Sequence, residues 1–181
     1  MVIPPLETNR LWLRPLALDD APAIQRRFPR WEVVRYLATV PWPYPEDGAE
    51  TFIRRSLEEM AAGTKLHWTL RVKGELDEAV GVISLWPDDS NREQRGFWID
   101  PEYSGRGLMT EAADRIVDYA FGELGWTRLY LTNAVPNVGS RRIKEKQGAR
   151  LVAQERKRFV SGELEREIWL LDAEDWRRRR V

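Results

Sequence analysis

The chain has no cysteine among its 181 residues and only one histidine, His67. Disulfides, thiolate metal sites and a thiol nucleophile are thereby excluded together. One imidazole without thiolates cannot assemble a zinc site of the common kinds, so no metal is expected. A dominant charge is missing as well: lysine plus arginine and aspartate plus glutamate number 29 each. No global field draws such a chain to nucleic acid or to a membrane, and its partner has to be recognised locally. No apolar run approaches the length of a membrane span, and Met1-Val2-Ile3-Pro4-Pro5 lacks the pattern of a secretion signal. A soluble, cytoplasmic protein is expected. Repeats and low-complexity segments are also absent, and the length suits a single domain over 1–181.

Tryptophan, by contrast, is plentiful, with nine copies. Trp12, Trp68, Trp86 and Trp169 lie in strand-like runs and are expected to pack. Trp42 and Tyr44 differ, because Pro41, Pro43 and Pro45 hold them on a stiff extended segment that can be neither helix nor central strand. Both are candidates for contact with a substrate. Around them the pattern predicts a strand at 9–14, helical segments at 19–28 and 30–37, and a helix from Asp47, in capping-box spacing with Glu50, to Gly63. Strands at 66–73 and 78–86, a strand ending at Asp100, a helix to about 123, a strand at 128–133, a helix at 137–147 and two final strands turning at 160–163 follow. This order gives an α/β domain with a mixed central sheet. Arg177 to Arg180 read as a solvated, frayed end.

The most informative stretch is Gly96-Phe97-Trp98-Ile99-Asp100 followed by Gly105-Arg106-Gly107-Leu108-Met109-Thr110. A strand, a glycine loop and a helix opening on the second glycine present unpaired N–H groups at the positive end of a helix dipole, which suits a phosphate. A Walker loop is excluded, since no lysine follows Gly107. A dinucleotide fingerprint is excluded too, because Thr110 stands where its third glycine belongs. Further on, Asn137-Val138-Gly139-Ser140 opens a helix that closes at Glu145-Lys146-Gln147-Gly148, with Asn137 placed as an N-cap and Gly148 as a C′ residue.

Together these segments resemble the GNAT N-acetyltransferases, in the branch that contains the Rim-type ribosomal-protein N-terminal acetyltransferases. The resemblance runs from about residue 8 to residue 177 and rests on the order of several motifs. It implies helices flanking a sheet in which two adjacent parallel strands splay apart, with acetyl-coenzyme A between them. Trp98 and Ile99 would hold the pantetheine, Gly105, Arg106, Gly107, Leu108, Met109 and Thr110 the pyrophosphate, and Asn137 the pantetheine amides. Relatives often carry Gln or Arg where this chain has Glu102, which gives Arg106 more to do. Ser140 matches the Rim-branch proton donor to the departing thiolate. The tyrosine used by other relatives is missing from Arg141-Arg142-Ile143-Lys144.

Without cysteine, direct attack of an amine on the bound thioester is the simplest route. The branch usually supplies a glutamate base two residues before Gly96, and Gln94 stands there, an amide that accepts no proton. Glu93 is the neighbouring carboxylate, and strand alternation would aim it away from the cleft unless a bulge intervenes. A weak base favours an α-amine, with reference pKa near 8, over a lysine near 10.4. The expected acceptor is therefore a protein or peptide N-terminus, with a small amine as the alternative enzyme reading and a non-catalytic acyl-coenzyme A module as the alternative outside enzymes. A second copy of the chain, forming a homodimer, is the remaining partner considered.

Overall fold

The computed structural model describes residues 3–179. Leu11 and Leu13 are buried while Trp12 and Arg14 face out, and this alternation makes a half-buried strand. β1 (Leu6–Glu7) and β2 (Leu11–Pro15) lead to two short helices, α1 (Ala21–Arg27) and α2 (Trp31–Val34), and then to α3 (Gly48–Ala62). β3 (Leu66–Val72), β4 (Gly81–Leu85) and β5 (Arg95–Ile99) follow. α4 (Leu108–Asp118), which continues as a π-helical turn through Glu123, connects β5 to β6 (Arg128–Ala134). α5 (Val138–Gln147), the long hairpin β7 (Arg150–Phe159) and β8 (Gly162–Asp172), and α6 (Ala173–Arg179) complete the described chain.

The strands form two antiparallel sheets, in the orders β1-β2-β3-β4-β5 and β6-β8-β7. A mixed central sheet was expected; among the described residues one backbone–backbone bond joins the two sheets, Gln94 N–H to Tyr130 C=O at 2.9 Å. Beyond that point β5 and β6, joined through the helical crossover that parallel neighbours require, part company. One apolar cluster lies under α4, built from Trp68, Leu70, Ile83, Ile116 and Leu131. A second, with Phe28, Val34, Ile53 and Trp98, lies under α1 and α3. The open gap between β5 and β6 and the faces of these two cores position the site.

Three local expectations change. Trp12 is 40% exposed, because its register sends it to the outer face, where Lys73 lies 4.4 Å from the ring centre. The helix expected over 30–37 is one turn, since Leu37 and Arg35 give their carbonyls to Val160 and Ser161 at the β7–β8 turn. The arginine-rich end is helical through Arg179 and anchored by buried Trp176, whose Nε1 donates to Asp118 at 2.8 Å; Arg180 lies outside the described residues. The 47–63 helix is as expected and ends on left-handed Gly63, but Asp47 makes no capping bond.

Candidate active site

Gly105 and Gly107 have φ of 75° and 76°, a left-handed conformation that other residues adopt only under strain. Gly107 is the N-cap of α4 and brings no side chain to it, and the first helical bond is Glu111 N–H to Gly107 C=O. The N–H groups of Leu108, Met109 and Thr110 precede that bond and lack helical partners. A Cβ on Gly105 would meet nothing within 4 Å, so the loop is open on its outer side. Arg10, in the turn before β2, braces it by donating to Arg106 C=O at 2.9 Å and pairing with Glu111 at 2.7 Å. Arg106 stands over Tyr103 and reaches Glu75 at 2.9 Å, and Glu102 pairs with Arg30 at 3.0 Å.

Asp100 N–H bonds to the C=O of Val80, which leads into β4. Because strand residues alternate between the two edges, Trp98 directs its backbone to β4 as well, while Phe97 and Ile99 direct theirs toward the gap. Of the two strand residues expected to hold pantetheine, Ile99 thus turns its backbone to the gap and Trp98 does not, while Phe97 does. The Trp98 ring instead packs edge-on against Phe28, 5.0 Å away. Free backbone groups along one strand edge and an uncapped helix start fit a coenzyme A pantetheine and pyrophosphate.

At the apex of the gap Gln94 does something the strand pattern did not foretell. Its backbone N–H donates to Tyr130 C=O at 2.9 Å, and its side-chain oxygen accepts Tyr130 N–H at 3.0 Å. The ladder of β5 begins only at Arg95, so alternation does not govern residues 93 and 94. Glu93 accordingly lines the cleft rather than facing away. Its Oε2 accepts from Lys157 Nζ at 2.8 Å and Arg166 Nη1 at 3.0 Å, and Arg166 also binds Glu155. Two cations thus share one oxygen of the Glu93 carboxylate.

The cleft itself encloses about 1180 Å³ between α3, the Pro41–Pro45 segment, β4, β5 and the β7–β8 hairpin. Tyr44 forms part of its wall; its ring lies against Phe28 at 5.1 Å and over Gly48, where a Cβ would come within 2.6 Å of the ring. Burial pushes the Tyr44 hydroxyl up to about 12, so it stays protonated. Trp42 is not brought to the cleft. It is 43% exposed and tilts against Trp31 on the rim.

Ser140 is buried, and its N–H donates to Asn137 Oδ1 at 3.2 Å, so Asn137 does cap α5. Ser140 does not bond back to a carbonyl one turn earlier. Lys144, one turn later on the same face and 1% exposed, donates to Ser140 Oγ at 2.7 Å and to Ser140 C=O at 3.1 Å. Accepting from Lys144 leaves the Ser140 hydroxyl hydrogen free to point elsewhere. Burial, and then the nearby Arg95 charge, hold the Lys144 amine well below its ordinary value. Lys144 was not singled out from sequence, although a lysine four residues after the serine on a buried face was the available signal.

The Acetyltransferase (GNAT) domain family matches residues 10–150, and the chain belongs to this family. Bacillus subtilis YjcK, provisionally named an N-acetyltransferase, is 31% identical over 108 residues, 58% of this chain and 59% of YjcK. YdaF of the same organism, provisionally named a ribosomal N-acetyltransferase, is 40% identical over 70 residues, 38% of each chain. The matches thus span 59% and 38% of these two relatives. Two solved structures share the fold. A ribosomal-protein-S5-alanine acetyltransferase from Vibrio fischeri superposes with a TM-score of 0.80 at 16% identity, covering 96% of this chain and 99% of that one. The microcin C7 self-immunity acetyltransferase MccE, in complex with acetyl-CoA and AMP, gives 0.76 at 18% identity, covering 91% and 93%. No helix among the described residues is long and apolar enough to cross a membrane.

Proposed function

We propose that the protein is a cytoplasmic N-acetyltransferase that moves the acetyl group of acetyl-coenzyme A directly to a primary amine, with the α-amine of a protein or peptide N-terminus as acceptor. The observation that carries this is the joining of two half-sites at Gly96 to Ile99: a backbone edge and uncapped helix start on one side, a walled cleft on the other. Leu108, Met109 and Thr110 N–H groups bind pyrophosphate oxygens, with Arg106 and Arg10 adding charge at the loop. Phe97 and Ile99 hold the pantetheine, and the free Nδ2 of Asn137 reaches its amides.

Acetyl-coenzyme A supplies the activated thioester. The residues of this chain orient the amine against it and manage protons. Ser140 gives its hydroxyl proton to the departing sulfur and regains one from the nitrogen as the acylated amine sheds its remaining extra proton, and Lys144 holds Oγ in place for that transfer. Glu93 orders Lys157 and Arg166 at one end of the cleft, a charged wall for the acceptor. The cleft exceeds the roughly 300–1,000 Å³ usual for small-ligand pockets, which favours a chain end entering it.

Release of free thiol from acetyl-coenzyme A tests the reading with a panel of peptides bearing a free α-amine, the same peptides blocked at the α-amine but carrying lysine, and small amines. Turnover of the first set alone is expected. Turnover of small amines alone would replace it with the small-molecule reading, to which the MccE likeness points. Saturable coenzyme A binding without thiol release from any acceptor would make the protein a binding module.

A further inference from the structure

The only histidine sits on β3 directly across from Ser84 of β4, and Ser84 in turn pairs in register with Gly96 of β5. His67 Nδ1 is 2.7 Å from Ser84 Oγ, and Nε2 is 3.2 Å from Glu59 Oε2 on α3. His67 itself is 4% exposed, whereas Ser84 and Glu59 line the cleft. An ionised carboxylate only accepts, so Nε2 carries the hydrogen toward Glu59. Nδ1 of the neutral ring is then an acceptor, and the Ser84 hydroxyl donates to it. The remaining lone pairs of Ser84 Oγ are left for a donor in the cleft, beside Gly96.

We propose that Glu59, His67 and Ser84 form the proton acceptor for the incoming amine. Ser84 touches the ammonium: its Oγ takes a proton from the amine as its own hydroxyl proton passes to His67 Nδ1. An imidazolium and a neutral amine result, with Ser84 again a hydroxyl. Glu59 faces the new charge through Nε2–H. No other reactant is required, and the imidazolium returns its proton to solvent after transfer. This inference rests on the proposed acylation of an amine in this cleft and supplies the base that Gln94 lacks.

The charges around the ring fit the role. Glu59 Oε1 pairs with Lys65 at 3.2 Å, which spares Oε2 for the ring. Burial pushes the Glu59 carboxyl up, but the bonds from Lys65 and His67 outweigh it and hold it below the usual glutamate value. Burial pulls the His67 imidazole below its ordinary value, and Glu59 offsets part of that while Lys65 and Arg55 add to it. Phe52 of α3 covers the ring edge-on at 5.9 Å, and just past β2 the Leu16 N–H donates to the His67 C=O at 3.0 Å. The ring is therefore neutral and receptive at pH 7. A base of this strength takes a proton uphill from an α-ammonium near 8 and much further uphill from a lysine near 10.4, which matches the α-amine preference.

A single histidine makes the test direct, since its ring protons give one NMR titration without assignment. The His67 midpoint is expected below 6.5 and should fall further in Glu59→Gln. The pH profile of kcat/KM at saturating acetyl-coenzyme A should inflect at that same midpoint with two acceptors of different pKa. The inflection should vanish in His67→Gln, and Ser84→Ala should lower kcat/KM about a hundredfold while coenzyme A affinity is retained. A folded His67→Gln enzyme with the wild-type profile, or an inflection that moves with the acceptor, would overturn the relay while leaving acetyl transfer intact. An acetyl adduct on Ser84 in the intact mass, formed without acceptor, would overturn it in favour of an acyl-enzyme. Absence of thiol release from wild-type protein with every amine would instead sink the proposed function, and the relay with it.

Discussion

The two halves of the proposed site are built from different materials. The coenzyme half, from Ile99 through α4, uses backbone: two left-handed glycines, an uncapped helix start and a strand edge. The acceptor half uses side chains gathered from distant parts of the chain, with Glu59, His67, Ser84, Glu93, Lys157 and Arg166 drawn from α3, β3, β4, the approach to β5, β7 and β8. Backbone geometry recognises what every member of a family binds, because it changes little when side chains vary. Side-chain clusters carry what differs between members, so the acceptor half is where this chain departs from its relatives' pattern at Gln94.

Five variants probe that contrast. The largest effect is expected for Ser140→Ala, which removes a proton donor that acts only in the transition state. Turnover should fall about a hundredfold with acetyl-coenzyme A affinity nearly intact; single-turnover rates and equilibrium binding read the two separately. Gly107→Asp attacks the backbone half by putting a carboxylate and a strained φ beside Arg10 where phosphate must approach. Coenzyme A should bind more than about tenfold more weakly, ~1.4 kcal/mol by titration calorimetry; unchanged affinity in a folded variant would remove the loop from the site.

Lys144→Met comes next. The folded-state amine titrates below its unfolded value, so between the two values the unfolded chain binds more protons and wild-type stability rises with pH. Methionine abolishes that deficit and should stabilise the fold at pH 7 by about 1 kcal/mol, an advantage that narrows as pH approaches 10. Thermal melts at several pH values decide it. The smallest effect belongs to Trp42→Ala, expected to leave acceptor KM within about twofold because Trp42 lies on the rim, whereas Tyr44→Ala, which opens the wall, should raise it by more.

The glycine loop and the start of α4 were legible in the sequence, since glycine spacing, a helix start and strand order are local signals. Asn137 and Gly148 capping α5 were legible for the same reason. The acceptor half was not. His67 and Glu59 are eight residues apart across a turn, and Ser84 joins them only through the β3–β4 register, which no local spacing fixes. Trp98 went astray by one position because edge alternation needs a bonded reference, here Asp100 to Val80. Glu93 and Gln94 exchanged expected roles because strand parity was extended past the point where the ladder starts.

The pair of hydrogen bonds between Gln94 and Tyr130 has a practical consequence for engineering. Changing Gln94 to the glutamate that the family resemblance implies looks like restoring a lost catalyst. In this chain the residue is a keystone: its amide spans the junction from which two sheets diverge, and its Nε2 also donates to Pro87 C=O at 3.3 Å. A carboxylate there forfeits that donor and places a charge where the chain supplies an amide's neutrality. Reverting the sequence would therefore alter the masonry of the gap before it altered the chemistry within it, and a loss of activity in such a variant would measure an opening angle rather than a proton.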